Sequence, residues 1–157
     1  DSEAVIGSRV TVVAFVAVPE GMFSNASVSF VPTTTCASAP LDTVRVNFVS
    51  EFGMMSSVTS SLGSFEEVSQ LATDSLGPDR TAPVVVRLGN LQNNATTASV
   101  EVIHISIRYF VRNHVGVEAG CQFSVQGVVR RGDEVLADNQ VTGVVVEPVV
   151  SVTVSPV

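Results

Sequence analysis

Lysine and tryptophan are absent from this chain of 157 residues, and tyrosine occurs once, at Tyr109. The missing lysine removes the side-chain amine as a nucleophile. The scarcity of Trp and Tyr weakens any carbohydrate-binding platform, which needs exposed aromatic faces. Eight arginines stand against fifteen acidic residues, for a net charge of -7. That balance offers no basic patch for phosphate, so no nucleic acid is expected as a partner. Attraction to an anionic membrane surface is disfavoured for the same reason. The longest apolar run, Val12 to Val18, has seven residues, against the roughly 18–20 of a membrane helix, so membrane insertion is not expected.

Catalytic sets are equally thin. No serine sits in a nucleophile elbow, and no glycine-rich phosphate loop occurs. Neither cysteine has a histidine close to it in sequence. Glu66 and Glu67 are adjacent, and adjacent helical residues face different directions. His104 and His114 are the only histidines, one on the polar face of a strand pattern and one in a turn, without convergent metal ligands. Asp133, Glu134 and Asp138 cluster in one hairpin, but their spacing matches no calcium loop and reads as solvated turn acids. The expectation is a protein that is not an enzyme and takes no cofactor or metal.

Valine fills the space those residues leave: 34 Val against 7 Leu and 4 Ile. Val is stiff at χ1, loses freedom in a helix and fits a pleated surface. Charged residues make up only 15%, so the chain can bury enough apolar surface to offset its ordering entropy. Along the chain, Arg9–Val18 reads as a buried strand closed by Pro19-Glu20-Gly21. Ala26–Val31 reads as a short strand ended by Pro32, and Pro32–Pro40 as a loop. Thr43–Ser50 alternates, with Val44, Val46 and Phe48 on one face. Met55–Ser61 reads as a strand. Ser64 and Glu67 have the spacing of a capping box, opening a helical turn or two to about Ala72. Val84–Leu88 is a strand, followed by a polar loop over Gly89–Thr96.

Ala98–Val111 is the clearest strand, with Ile103, Ile105, Ile107, Tyr109 and Val111 on one face. Cys121–Arg131 follows, then a tight hairpin at Arg131-Gly132-Asp133-Glu134. Val135–Ala137 and Val141–Glu147 read as strands, and after Pro148 a last strand spans Val149–Val154. Eight to ten strands with frequent turn signals and no crossover helices predict an all-β, immunoglobulin-like antiparallel sandwich. It divides into a domain over 1–147 and a linking segment over 148–157.

Several motifs carry a resemblance. Val84-Val85-Val86-Arg87-Leu88-Gly89-Asn90-Leu91, the alternating Val102–Tyr109, Asn113, and Glu118-Ala119-Gly120-Cys121 together resemble the β-sandwich repeat of unknown function found in tandem in cell-surface proteins. Ile6–Val12 is similar to that repeat's first full strand. The resemblance implies that a segment such as Glu147–Pro156 precedes that opening, so the chain looks like one period of an array cut out of phase. A weaker likeness is to subunits of glycosylated extracellular fibrils. Surface repeats of this type often carry a Lys–Asn isopeptide bond, and the lack of lysine excludes one within this chain. Residue 1 is Asp and no signal peptide is present, so the chain is expected to be processed or cut from something longer.

Cys36 and Cys121 are the only cysteines. An intramolecular disulfide is expected, with free thiols or an intermolecular pair as alternatives. Asn25-Ala26-Ser27 and Asn94-Ala95-Thr96 fit the N-glycosylation sequon in predicted turns. Thr33, Thr34 and Thr35 form a run near prolines suited to O-glycans. The tail alternates Val150, Val152 and Val154 with Ser151, Thr153 and Ser155. Such a half-buried pattern needs a sheet to join, its own or the next unit's, and Pro148 breaks the ladder before it.

These readings converge on an extracellular or cell-surface structural repeat. Its partners are copies of itself, assembled head-to-tail through Val149, Val150, Val152 and Val154, with covalent glycans. The rival is an adhesin-type module binding carbohydrate or protein through the 51–83 region.

Overall fold

A computed structural model describes residues 2–48, 57–94, 101–149 and 153–155. Its strands are β1 (Ser2–Val5), β2 (Arg9–Val18), β3 (Gly21–Thr34), β4 (Leu41–Phe48), β5 (Val58–Ser60), β6 (Val84–Asn93), β7 (Glu101–Val111), β8 (Gln122–Arg131) and β9 (Glu134–Val146). One helix, α1 (Phe65–Asp74), lies between β5 and β6. The strands form two layers: a six-stranded sheet in the order β1-β9-β8-β3-β6-β5 and a three-stranded sheet in the order β2-β7-β4. Among the described residues every pairing is antiparallel except β1 with β9, which run parallel. The chain is an all-β sandwich of immunoglobulin-like plan, with β5, α1 and β6 inserted beside β3.

Alternation on β7 builds the centre of the core. Ile103, Ile105, Ile107 and Val111 are fully buried and Tyr109 nearly so. From the six-stranded sheet, Val28, Phe30, Val86 and Leu88 belong to the same core. Burying each such aliphatic side chain contributes about 1.5–3 kcal/mol. The capping box is present: Ser64 Oγ accepts from the Glu67 N–H at 3.1 Å, and Glu67 Oε2 accepts from the Ser64 N–H at 2.9 Å. The hairpin turns on Gly132 and Asp133, with Gly132 at φ 59 in the first central position, as a type II′ turn requires.

The structure departs from the sequence reading at several places. β2, expected as a buried strand, is an edge strand with one face exposed. β3 does not start at Ala26 and end at Pro32 but runs from Gly21 to Thr34. β3 pairs with β6 only as far as Phe30, so a ring nitrogen there breaks no ladder bond to β6, while β8 keeps its partners through Thr34. Gly89–Asn93 is strand, not loop. Positive φ at Gly89 (66°) and Asn25 (51°) absorbs a pair of register shifts, and the ladder continues. Val44 is exposed, because a bulge between Thr43 and Arg45 rotates it off the buried face. Two separate strands over Val135–Ala137 and Val141–Glu147 are one continuous β9. Finally, β1 is a short edge strand that no hydrophobic pattern announced. Of the expected strand Met55–Ser61, Val58–Ser60 is strand, whereas Met55 and Ser56 lie outside the described residues.

Candidate functional site

The feature that stands out is an open seam between the layers. β2 is the edge of its sheet, bonded to β7 on one side only. β9 is bonded to β8 along its length, but β1 covers its outer edge only over Gly143–Val146. Among the described residues no strand covers the outer edge of Glu134–Val141, and all eight of these residues are exposed. Among the described residues, the β2 edge and this part of β9 thus face one another across one side of the sandwich.

Side-chain burial on β9 changes where β1 stops. Val145, covered by β1, is fully buried, and Gly143 is buried beside it. Gly143 has no room for a Cβ, because the Phe123 ring fills that space. Val141, two residues earlier on the same face, is 49% exposed, and Leu136 is 45% exposed. Val129 pairs with Ala137 and Arg130 with Val135, which leaves Leu136 as an extra bulge residue. A groove of about 370 Å³ opens here, lined mainly by apolar side chains including Phe15, Val18, Phe23, Leu91, Val129 and Leu136. A smaller crevice of about 70 Å³ continues along the seam between Val12, Ala14, Phe30, Val125 and Val141. Phe15 stands at the mouth, 68% exposed, its ring edge-on to His104 at 4.6 Å.

Of the tail beyond Pro148, the described residues are Val149 and Thr153–Ser155. Val149 and Thr153–Ser155 belong to no strand, with Val149 96% and Val154 84% exposed. The strand expected over Val149–Val154 is thus not formed by its described residues within this chain. Val150 and Val152 lie outside the described residues.

The other predicted sites are dispersed. Cys36 and Cys121 are joined by a disulfide with their Cα atoms 5.0 Å apart. It closes the end of the β3–β8 ladder, next to the Thr34–Phe123 pair, and does not bridge the sheets. Thr34 Oγ1 donates to the Gln122 carbonyl at 2.8 Å, and Thr35 Oγ1 accepts from the Gln122 N–H at 2.9 Å. Thr33 is exposed. Asn25 and Asn94 are both exposed, but Asn25 sits inside β3 and not in a turn. Its N–H donates to Asn90 Oδ1 and its carbonyl accepts from the Gly132 N–H, each at 2.9 Å. Ala95 and Thr96 of the second sequon lie outside the described residues. His104 and His114 are on separate elements, and no group of three or more potential metal ligands occurs among the described residues.

Composition also hid a local concentration of charge. The β2-β7-β4 sheet brings Arg9, Arg108 and Arg45 to its outer face, with Arg45 directly opposite Arg108. Net charge cannot show this, because it averages over both faces of the sandwich.

No family model matches the sequence, so the likeness to the tandem surface repeat stays a likeness of motifs. No curated protein matches it either. Among solved structures, the chain is similar to the crystal structure of ACE19, the collagen binding subdomain of the Enterococcus faecalis surface protein ACE. The identity is 8% and the TM-score 0.31, with 91% of this chain and 92% of that one covered. At that TM-score the likeness carries no argument about function.

Proposed function

We propose that this protein is a structural repeat or subunit of an extracellular filament or surface stalk, and not an enzyme. Its copies join head-to-tail by β-strand complementation. The open seam between β2 and β9 carries this reading. A sandwich whose described residues leave the edge Glu134–Val141 and an apolar groove uncovered has main-chain donors and acceptors to offer another strand. The Val150, Val152 and Val154 alternation supplies a strand of matching character. A contact between two different surfaces of the same molecule propagates when its rotation does not close. The Cys36–Cys121 disulfide suits an oxidising, extracellular setting.

The adhesin reading would place a ligand on the 51–83 region, of which 57–83 are described. The crevice beside α1, lined by Ala72, Leu76 and Arg80, has only about 80 Å³, well below the roughly 300 Å³ at which ligand pockets begin. Deleting residues 148–157 tests the filament reading by electron microscopy and sedimentation. The truncated chain is expected to stay monomeric. Normal assembly of the truncated chain would refute the proposal, as would saturable binding of a sugar or protein by a full-length chain that never self-associates.

A further inference from the structure

We infer that the outer face of the β2-β7-β4 sheet docks a second copy of this chain, which lays the exposed acidic side of its α1 against Arg9, Arg45 and Arg108. This contact is separate from strand complementation and does not depend on it.

The receiving surface is charged in a way that disfavours the lone molecule. Arg45 and Arg108 stand directly opposite each other on adjacent strands, and Arg9 lies one row away, opposite Phe110. Like charges so placed repel. Asp42 is the one acid on this face among the described strand residues, and it is paired with Arg112 at 3.6 Å. No ion pair among the described residues involves Arg9, Arg45 or Arg108. Asn47 Oδ1 accepts from Arg45 Nε at 3.1 Å, in the amide orientation that satisfies both its groups, and this steadies the guanidinium. Val13 and Phe110 are 39% and 37% exposed on the same face, so apolar surface lies beside the cations.

α1 supplies the matching surface. Glu66, Gln70, Leu71 and Asp74 are exposed, and the helix contains no basic residue. Asp74 is in its last turn, where the helix dipole favours a cation and disfavours an acid. Leu71 is 53% exposed. Cations and apolar side chains on one surface thus meet acids and an apolar side chain on the other. The contact relieves an unfavourable charge arrangement on both. Within one copy α1 borders the same sheet, since Thr73 Oγ1 accepts from the Val46 N–H at 3.1 Å and donates to the Val46 carbonyl at 3.3 Å. The giving and receiving surfaces are therefore neighbours. Two copies related by a twofold axis satisfy each other at once, and the contact closes as a pair.

Exposed ion pairs are individually weak, so the pairing is read at high protein concentration, by light scattering and electron microscopy of the full chain across a salt series. At about 1 M salt the Debye length is about 3 Å and the contact is screened. At about 0.1 M it is about 10 Å, which spares close ion pairs while damping the repulsion of the net charge. The state at about 1 M salt, filament or monomer, therefore reports on strand complementation alone. From that state, lowering the salt to about 0.1 M is expected to raise the mass of monomers about twofold, or to join filaments side by side. Two variants sharpen the test, Arg45→Glu/Arg108→Glu and Glu66→Arg/Asp74→Arg. Each alone is expected to lose this association. Their equimolar mixture is expected to regain it, because each then offers the surface its partner lacks. Both variants stay net negative from a starting charge of -7, so net charge alone keeps the mixture apart. A native chain whose association does not increase as salt falls overturns the contact, even where a variant fails to fold. Salt-sensitive association of either variant alone, or none in a mixture of folded variants, overturns the pairing of these two surfaces. Absence of filaments at every salt concentration overturns strand complementation and leaves this contact standing.

Discussion

The side-chain amide of Asn93 donates a 2.8 Å hydrogen bond to the backbone carbonyl of Val18, joining the end of β6 to the end of β2 across the sandwich. Asn93 is only 4% exposed, and Val18 lines the groove of the seam. The bond thus pins one wall of the groove to the other sheet. Asn93→Leu removes the donor and leaves a carbonyl poorly satisfied in a dry setting. A loss of about 1–3 kcal/mol is expected in urea unfolding. A stability unchanged within about 0.5 kcal/mol would show that the bond does not tie the layers.

Tyr109 is the only tyrosine, so its ionisation can be followed directly by ultraviolet absorbance. Its hydroxyl is buried without a hydrogen-bond partner in the structure, and burial pushes the phenol well above its ordinary value of 10.0. Above about pH 10 the unfolded chain loses this proton while the folded chain keeps it. This contribution to stability is therefore complete below pH 10 and declines as pH rises beyond it. Tyr109→Phe is expected to remove that decline and to raise stability at neutral pH by about 1 kcal/mol, because an unsatisfied hydroxyl is deleted. A phenol titrating near pH 10 in the folded protein would contradict the burial argument.

Asn25 has a conformational reason for its identity that is independent of any glycan. At φ 51 it occupies the left-handed region, which Asn tolerates and β-branched residues do not. Asn25→Gly is expected to leave stability within about 0.5 kcal/mol, and Asn25→Val to cost about 1–2 kcal/mol. Chemical denaturation of unglycosylated protein separates this effect from glycosylation. In a glycosylating host, intact mass should fall by one glycan in both variants if Asn25 is a true acceptor.

Fold class was readable because strand alternation is a local property. The β7 face Ile103–Val111 follows from period-two patterning, and the β2 span Arg9–Val18 from an apolar run, which did not show that one face of β2 is exposed. The capping box at Ser64 and Glu67 was readable for the same reason. The strand ends were not. Pro32 and Gly89 are breakers only where the ladder needs their missing groups, and that depends on which neighbour is present at that residue. Val44 faces solvent because of a bulge, which shifts alternation without leaving a sequence mark. The candidate site divides along the same line. The donor pattern at Val150, Val152 and Val154 is local and visible in the sequence. The uncovered stretch of β9 is visible only in the topology, because among the described residues β1 covers only its last four residues, Gly143–Val146, a fact spread over residues more than a hundred positions apart.

The parallel pairing of β1 with β9 has a mechanical consequence. Ser2 and Val146 sit at opposite ends of that ladder, with Ser2 opposite Gly143 and Val5 opposite Val146. Tension drawn between these two points slides the strands along each other, so the four residue pairs share the load and must yield together.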